Sequence, residues 1–360
     1  MRAPVVLRGW LFAGALGAVA CTRGARTAPA PALGPACTFT NPVVRGADPW
    51  VVRYDSMYYY VRSHDRRIWI AASPRLKDVL TAPAIPIWSA PDTGWNRTNI
   101  WAPELHFLDG RWYVYYAAGR TGPPFTSQHA GVLQSAGANP LGNWADRGRL
   151  YTGDSVETGR ADRWSIDLTV GRIGGRTYAI WSGWTADAPT DKTSQQLYIA
   201  PMASPWRIAA NRVLLSAPVE EWERGPELDL QEGPELLAHG DDVFVIYSTR
   251  DSWLKDYALG QLRLRGASAS PLDPTSWSKS GPVFTGGDRV FGVGHASFVS
   301  TGDDTAPWIV YHSKDSATPG WARSVWMQPF AWKNDGSPSF GEPIGPRVPI
   351  PLPAGECPSR

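Results

Sequence analysis

The feature that most constrains the fold of this chain is a hairpin-like segment that recurs five times. In the first copy, residues 45–60, an apolar run starting at Trp50 leads to a polar turn at Tyr54–Ser56 and then to an aromatic run. This is the pattern of two β-strands joined by a turn. Pro49 stands at the mouth of the hairpin, and proline is tolerated at the first residue of a strand. The other copies occupy residues 101–116, 164–184, 231–248 and 294–312.

A polar residue stands at the head of each copy and marks the period of the repeat. These residues are Asp48, Glu104, Asp167, Glu232 and His295. They are separated by 56, 63, 65 and 63 residues. A near-constant period of this length, filled with short strands and turns, is typical of a β-propeller, so the sequence predicts an all-β, five-bladed β-propeller. Because the first strand of each blade lines the central channel, we expect the five polar residues to converge on the axis.

Composition favours one large domain and argues against two classes of partner. A chain of 360 residues could hold two or three average domains, but all-β architectures of this size often form one. The 36 glycines and 33 prolines fit a fold with many turns. The formal net charge is +2, charged residues make up 19%, and the chain has no basic run. Nucleic acid and anionic membrane surfaces are therefore not expected as partners.

Residues 1–20 have the pattern of a signal peptide. Arg2 and Arg8 precede an apolar run at 9–20, which ends in small residues before Cys21. The Ala-Val-Ala-Cys ending resembles a bacterial lipobox, in which the cysteine is lipidated after cleavage, and plain secretion is the alternative. The apolar run is too short and too close to the terminus to favour a membrane-spanning helix. We expect an exported protein that is periplasmic or anchored to the cell surface by lipid, or otherwise secreted.

The rest of the chain is expected to contain a tether, one domain and a cross-link. Residues 21–36 are rich in Ala, Pro and Gly and are expected to form a flexible tether. Residues 37–360 would form the single propeller domain. Cys37 and Cys357 flank the propeller, and an exported protein permits a disulfide. A bond between them would clip the ring where the first and last blades meet.

Three of the five head residues are carboxylates of the kind that are paired for acid–base catalysis. Asp48 lies in Gly-Ala-Asp-Pro, Asp167 in Ser-Ile-Asp, and Glu232 in Gln-Glu-Gly-Pro. Glycoside hydrolysis needs one carboxylic acid to protonate the leaving oxygen and one carboxylate to activate water. A third acid nearby can keep the proton donor protonated near neutral pH by like-charge repulsion. Any one of them could instead cap a turn, but three at one phase of the repeat indicate a glycosidase.

From Asn41 to Pro346 these motifs resemble glycoside hydrolase family 43. Members of this family are five-bladed propeller enzymes that cleave arabinofuranosides and xylosides with inversion. The resemblance implies that Asp48 is the general base, that Glu232 is the general acid, and that Asp167 raises the pKa of the acid and orients it. Inversion would place the carboxyl groups of Asp48 and Glu232 roughly 6.5–9.5 Å apart.

Further motifs resemble the exo-acting α-L-arabinofuranosidase branch of the family. They lie at residues 100–106, 197–202, 205–206, 247–248, 252–253, 257–260 and 294–298. This branch implies release of α-L-arabinofuranose from arabinan, arabino-oligosaccharides or arabinosylated hemicellulose, which are plant cell-wall carbohydrates. Alternatives are a β-xylosidase or endo-arabinanase of the same fold, or a non-catalytic sugar-binding lipoprotein, although a binder would not need all three carboxylates. No feature demands an oligomer, and we expect a monomer.

Five other residues are candidates to contact the substrate. Trp101 and Trp184 lie next to channel strands and could floor or wall a sugar pocket, and Trp253 could do so from the fourth blade. The chain has 19 tryptophans, and core packing is the alternative role for each of these three. Glu104 could be a pocket residue or could pair with an arginine behind the blade. Arg323 is a plausible partner for a carboxylate at the site.

The resemblance also implies a role for His295 in the central channel. There it would face the channel below the carboxylates and support a central metal ion or water cluster, often calcium. Calcium prefers oxygen ligands, so bound water would have to supply most of its coordination shell. The alternative is a hydrogen bond to neighbouring blades through water. No cofactor is expected for the chemistry itself.

Overall fold

The computed structural model describes residues 37–266, 269–301 and 307–357. The predicted signal peptide, the tether and the lipidation site at Cys21 fall within residues 1–36 and lie outside the described residues. Strands dominate the described chain, as the recurring hairpins predict. Helix is confined there to short turns, and no described helix is long and apolar enough to span a membrane.

The strands are numbered here in chain order. They are β1 (Thr38–Phe39), β2 (Val44–Arg45), β3 (Trp50–Tyr54), β4 (Met57–His64), β5 (Arg67–Ser73), β6 (Ala84–Ser89), β7 (Thr98–Leu108), β8 (Arg111–Gly119), β9 (His129–Ser135), β10 (Trp144–Arg149), β11 (Ser165–Ile173), β12 (Arg176–Gly183), β13 (Gln196–Ser204), β14 (Arg207–Ile208), β15 (Val213–Ser216), β16 (Gln231–His239), β17 (Asp242–Thr249), β18 (Ala258–Leu264), β19 (Trp277–Thr285), β20 (Phe291–Ser300), β21 (Pro307–Lys314), β22 (Arg323–Pro329), β23 (Ala331–Trp332), β24 (Pro338–Ser339) and β25 (Ile350–Pro351). The helical turns are α1 (Leu76–Val79) and two 3₁₀ turns at Glu221–Glu223 and Pro274–Ser276.

Five antiparallel sheets form the blades of a five-bladed propeller, which confirms the predicted fold class. Blade 1 is β3-β4-β5-β6, blade 2 is β7-β8-β9-β10, and blade 4 is β16-β17-β18-β19. Blade 3 is β11-β12-β13 with the short strands β14 and β15 both paired to β13. Blade 5 is β20-β21-β22 and is completed on its outer side by β2 from the start of the chain. The first strands of the blades, β3, β7, β11, β16 and β20, contact one another in a closed ring.

The ring is closed by pairing of the two ends of the described chain. Val44 of β2 pairs with Val325 of β22, and Phe39 of β1 pairs with Ile350 of β25. Next to this second pairing the structure joins Cys37 and Cys357 in a disulfide. Strand pairing and a disulfide bond therefore both join the two ends of the domain, where the last blade meets the first.

Apolar side chains pack between neighbouring blades and form the core. Between blades 1 and 2, for example, Val61, Ile68 and Ile70 pack against Leu105 and Val114, and none of these side chains is exposed. A comparable apolar cluster fills each of the other four interfaces around the ring. Removing this surface from water is the main force that holds the blades together. Because the blades carry the core, the inner ends of their first strands are free to carry polar groups.

One residue at the head of each inner strand has a left-handed backbone conformation. These residues are Asp48 (φ 49°), Ala102 (φ 42°), Asp167 (φ 54°), Gly233 (φ 53°) and His295 (φ 46°). In blades 2 to 5 the strand pairing shifts register at this residue, as in a β-bulge. Left-handed conformations are uncommon for residues other than glycine and concentrate at functional sites. The recurrence of this conformation identifies the equivalent positions of the five blades.

This equivalence corrects the assignment of two head residues. Asp48, Asp167 and His295 occupy the left-handed position, as the repeat predicts. Glu232 instead lies one residue before it, and Glu104 lies two residues after it. Glu235 holds the same place in blade 4 that Glu104 holds in blade 2. The repeat length alone could not resolve offsets of one or two residues, because the loops between blades vary in length by more than that.

Candidate active site

Three carboxylates from blades 1, 3 and 4 are brought together around His295. The Nδ1 atom of His295 lies 3.4 Å from Oδ1 of Asp48 and 3.9 Å from Oδ2 of Asp167. The same Oδ2 atom accepts a hydrogen bond of 3.0 Å from the backbone N–H of Gly233, which follows Glu232. The sequence predicted convergence of these residues, and the propeller provides it because the inner strands form a closed ring.

Asp48 is surrounded by groups that favour its ionised form. Its Oδ1 atom lies 3.4 Å from Nδ1 of His295, 3.2 Å from Nδ1 of His312 and 3.4 Å from Nη1 of Arg323. Burial by itself would raise the pKa of Asp48, but the charges of His295 and Arg323 and the hydrogen bond from His312 outweigh it. The pKa of Asp48 is therefore held well below its usual range, and the side chain is a carboxylate at neutral pH.

Glu232 and Asp167 are shifted in the opposite direction. Burial, together with the negative charge of Asp167, raises the pKa of Glu232 to about 7, against the opposing hydrogen bond from the Tyr257 hydroxyl at 2.8 Å. Burial, together with the charge of Asp48, raises the pKa of Asp167 to about 7 as well. Near neutral pH a proton is thus available on Glu232 while Asp48 is ionised. Carboxyl groups with pKa values pushed apart in this way can act as an acid and base pair.

Arg323 occupies the position predicted for it, beside a carboxylate of the site. Its Nη1 atom contacts Asp48, and its buried Nε atom has no hydrogen-bond partner among the described residues. The side chain is 14% exposed. Arg323 therefore contacts the carboxylate of Asp48 while a small part of its side chain stays accessible.

His312 and Tyr257 were not identified by the sequence analysis as site residues. The His312 ring is fully buried and stacks parallel to the Tyr257 ring, with centroids 5.6 Å apart. Burial lowers the pKa of His312 to about 3, so this ring is neutral when it contacts Asp48. His312 is the last residue of the fifth copy of the repeat and lies opposite Gly294 in the hairpin, so its place in the repeat could have marked it.

Trp101 and Trp184 lie in one aromatic cluster but differ in exposure. Trp101 is partly exposed and packs edge to face against Phe125, with centroids 4.9 Å apart. Trp184 is 1% exposed and stacks on Trp164 at 4.3 Å with the ring planes 3° apart. A side chain with so little free surface offers no face to a sugar. The prediction that Trp184 contacts the substrate is corrected here: it supports Trp164 from within the core.

Trp253 borders a small apolar cluster in the fourth blade. It is partly buried and packs against the small cluster that contains Tyr257, the hydrogen-bond partner of Glu232. Its ring centroid is 5.5 Å from that of Trp321. Trp253 is therefore partly accessible and packs on the cluster of the Glu232 partner Tyr257, and its contact with the substrate stays a prediction.

Glu104 lies in the axial channel with a histidine as its partner. Its Oε2 atom is 3.0 Å from Nε2 of His106, so the alternative of pairing with an arginine behind the blade is wrong. Glu104 and Glu235 both line a small cavity on the axis that also touches Asp48 and His295. Burial, and for Glu104 also the charge of Glu235, raises the pKa of both carboxyl groups well above the usual range. Both glutamates beside the site are thus shifted towards their protonated forms.

The described side chains do not by themselves form a calcium site. Within residues 37–266, 269–301 and 307–357 no three His, Cys, Asp or Glu side chains are arranged to hold a metal ion. The Nδ1 atom of His295 contacts the carboxylates of Asp48 and Asp167, and the ring lines the small axial cavity, so its predicted place in the channel is not contradicted. A central ion bound through water stays a prediction, and no step of the chemistry is assigned to it.

Comparison with known proteins places this site in a family. Residues 39–338, which span all five blades, match the family Glycosyl hydrolases family 43. The chain is 35% identical over 357 residues to the extracellular exo-α-(1→5)-L-arabinofuranosidase of Streptomyces avermitilis, covering 94% of this chain and 70% of that protein. It is 32% identical to the enzyme of the same name from Streptomyces chartreusis, covering 86% of this chain and 90% of that one.

A solved structure agrees with these relatives. The crystal structure of α-L-arabinofuranosidase from Lactobacillus brevis superposes with a TM-score of 0.77 at 30% identity, covering 86% of this chain and 98% of that one. The family match spans every blade, and the carboxylates on which glycoside hydrolysis depends lie together at the centre. The chain therefore belongs to glycosyl hydrolase family 43 and is a glycosidase.

Proposed function

We propose that this glycosidase is an inverting exo-α-L-arabinofuranosidase acting on arabinan, arabino-oligosaccharides or arabinosylated hemicellulose. The observation that carries the proposal is the opposite pKa shifts of Asp48 and Glu232 around one centre. The substrate is supported by relatives at 35% and 32% identity that are named exo-α-(1→5)-L-arabinofuranosidases.

In the proposed reaction Glu232 donates its proton to the glycosidic oxygen as the bond from that oxygen to the anomeric carbon breaks. Asp48 takes a proton from a water molecule, and the water oxygen attacks the anomeric carbon from the opposite face. The products are β-arabinofuranose and the rest of the substrate, which is shorter by one sugar. Asp48 is then protonated and Glu232 ionised, and exchange of protons with solvent restores both.

Three neighbours would support this proton transfer. The charge of Asp167 adds to burial in keeping Glu232 protonated. Arg323 and His312 hold the Asp48 carboxylate in its ionised form. None of these residues needs to exchange a proton with the substrate, so we treat them as positioning and pKa-adjusting residues.

Export and anchoring are part of the proposal. The two Streptomyces relatives are named extracellular, which supports export of this chain. A lipid on Cys21 would then hold the enzyme at a membrane surface. Comparing membrane and soluble fractions of cells that express the wild type or Cys21→Ala tests this, and equal partition of the two proteins would reject the anchor.

Product analysis tests the proposed activity. The protein is incubated with α-1,5-arabino-oligosaccharides, and the anomeric carbon of the first product is followed by NMR. Release of arabinose alone, first as the β-anomer, is expected, with Glu232→Gln and Asp48→Asn slower by about 10²–10⁴-fold. First release of the α-anomer would reject inversion, and shorter oligosaccharides would indicate an endo-arabinanase. Without any product, xyloside substrates and then simple arabinan binding would be tested.

A further inference from the structure

Trp321 is an exposed aromatic residue whose position the proposed reaction does not explain. It lies in the loop at residues 315–322 between β21 and β22, and 60% of its surface is exposed. A single exposed aromatic residue is common on a protein surface, but exposed aromatic residues that adjoin one another are typical of a binding site.

Hydrogen bonds hold this loop in place. The backbone N–H of Gly320 donates to the carbonyl of Trp253 at 2.9 Å, and the Lys314 ammonium donates to the carbonyl of Gly320 at 2.5 Å. At the base of the loop the N–H of Asp315 donates to the carbonyl of Ala322 at 3.0 Å. The indole of Trp321 is therefore presented by an anchored loop that is tied to the loop carrying Trp253.

The two indoles form an open angle at the protein surface. Their centroids are 5.5 Å apart and their planes are inclined by 50°. On the side of Trp253, the Lys192 ammonium lies 4.0 Å from the ring centroid and pairs with Glu227 at 2.9 Å. Flat aromatic faces can pack against the C–H face of a sugar ring, and charged groups at the edge can bind its hydroxyls.

The aromatic pair also lies next to the partners of both catalytic carboxylates. The guanidinium carbon of Arg323 is 5.4 Å from the centroid of Trp321, and Arg323 contacts Asp48. Trp253 packs against the cluster that contains Tyr257, which donates to Glu232. The pair is therefore connected to the carboxylate centre through Arg323 and through the cluster of Tyr257, and a sugar bound on it would adjoin the arabinofuranose held at that centre.

We propose that Trp253 and Trp321 form a binding site for the leaving-group sugar, a neutral pentose or hexose ring joined to the arabinofuranose that is removed. This inference rests on the proposed arabinofuranosidase function and adds a second sugar site to it. Binding energy from a part of the substrate that does not react can be used to lower the barrier of the chemical step. The enzyme would therefore favour oligosaccharides over arabinosides with a small leaving group.

The experiment compares kcat/KM for α-1,5-arabinobiose with kcat/KM for methyl α-L-arabinofuranoside. The Trp321→Ala variant should lower the ratio of the two values by roughly tenfold, because only the first substrate has a second sugar to lose contact with. Trp321→Tyr should recover much of the ratio, since it keeps an aromatic face. The matched control is Trp206→Ala, which removes a tryptophan that is 39% exposed and covered by Arg147 at 4.8 Å, and it should leave both values unchanged.

Three outcomes would overturn the proposal. Equal losses on both substrates would show that Trp321 acts only by shielding Arg323, and a shift in the pH profile would accompany them. An unchanged ratio in Trp321→Ala would show that the ring does not contact the leaving group. If the wild-type protein hydrolyses neither arabinoside, the proposed function is wrong, and the proposal of a leaving-group sugar site is wrong as well. The first two outcomes leave the proposed function intact, so the two failures can be told apart.

Discussion

The Asp167 carboxylate accepts a 3.0 Å hydrogen bond from the backbone N–H of Gly233, the residue after Glu232. This bond joins the head of blade 3 to the head of blade 4 and fixes a buried acid beside the proposed proton donor. Burial raises the pKa of Glu232 first, and the charge of Asp167 raises it further. The pKa of the donor is therefore set partly by contact between two blades.

Asp167→Asn is expected to move the basic limb of the pH–rate profile to lower pH. The substitution removes a negative charge, so Glu232 loses its proton more easily, although burial still favours the protonated form. Activity at pH 7 should fall by roughly tenfold. The measurement is kcat/KM on an arabino-oligosaccharide from pH 4 to 9. A basic limb that stays in place would contradict the assigned role of Asp167.

The wild-type profile should fall above about pH 7 and stay nearly flat on the acid side. Glu232, with a pKa of about 7, must be protonated to act, and it titrates together with Asp167. Asp48 must be ionised, and its pKa lies well below the usual range, so acid does not inactivate it within the stable range. Arg323→Gln should raise the pKa of Asp48, so that the rate also falls on the acid side of the measured pH profile. A wild-type acid limb near pH 5 would show that the partners of Asp48 do not stabilise its charge.

Glu235→Gln is expected to stabilise the protein at neutral pH. Burial raises the pKa of Glu235 in the folded protein, while the unfolded chain ionises it near its ordinary pKa. The native state therefore loses stability as pH rises from that ordinary value towards the raised folded-state pKa. The neutral glutamine avoids this loss, so its melting temperature should exceed that of the wild type by at least about 2 °C at pH 7.5 and match it at pH 4. Glu342→Gln, at an exposed position, is the control. A gain that is the same at both pH values would argue against ionisation as its cause.

Reduction should destabilise the closed ring. The bond between Cys37 and Cys357 joins chain ends that are 320 residues apart in sequence. Loss of a cross-link of this kind typically costs about 2–5 kcal/mol, because the unfolded chain gains freedom. The matched variant is Cys37→Ser, which should melt at the same temperature with and without reductant. Alkylation of the native protein gives the independent check: two reactive thiols without reductant would reject the disulfide.

Chelation tests the central ion. If a hydrated calcium ion is bound near His295, EDTA should lower the melting temperature, and added calcium should restore it. His295→Ala should abolish this response. If elemental analysis finds no bound metal and the melting temperature does not change, the central ion is rejected. His295 would then be a partner of Asp48 and Asp167 alone.

Much of the fold was predictable because its signals are local. The hairpin at residues 45–60 shows its strands and turn in one short stretch, and the same pattern recurs in every blade. The carboxylates were predictable for a related reason: Asp48, Asp167 and Glu232 each stand at the head of a recurring strand. The ring closes only if these heads face the axis, so their convergence follows from the repeat.

Other features of the site depend on distant contacts. His312 lies 264 residues from Asp48 in sequence, and the two meet only because blade 5 closes against blade 1. Trp184 is next to a channel strand as predicted, but Trp164 covers it. Glu104 was expected to be a pocket residue or to pair with an arginine. It contacts His106 of its own strand, and only the closed ring brings it to the cavity that Glu235 of blade 4 also lines.

The sequence by itself determined the number of blades, the five hairpins and the acidic residue types at the heads of the inner strands, since turn residues and apolar periods act over a few positions. Only the tertiary structure decided which carboxyl group is charged. The opposite pKa shifts of Asp48 and Glu232 arise from burial and from neighbours on other blades. Burial and charge–charge interaction act through space, and no local pattern specifies them.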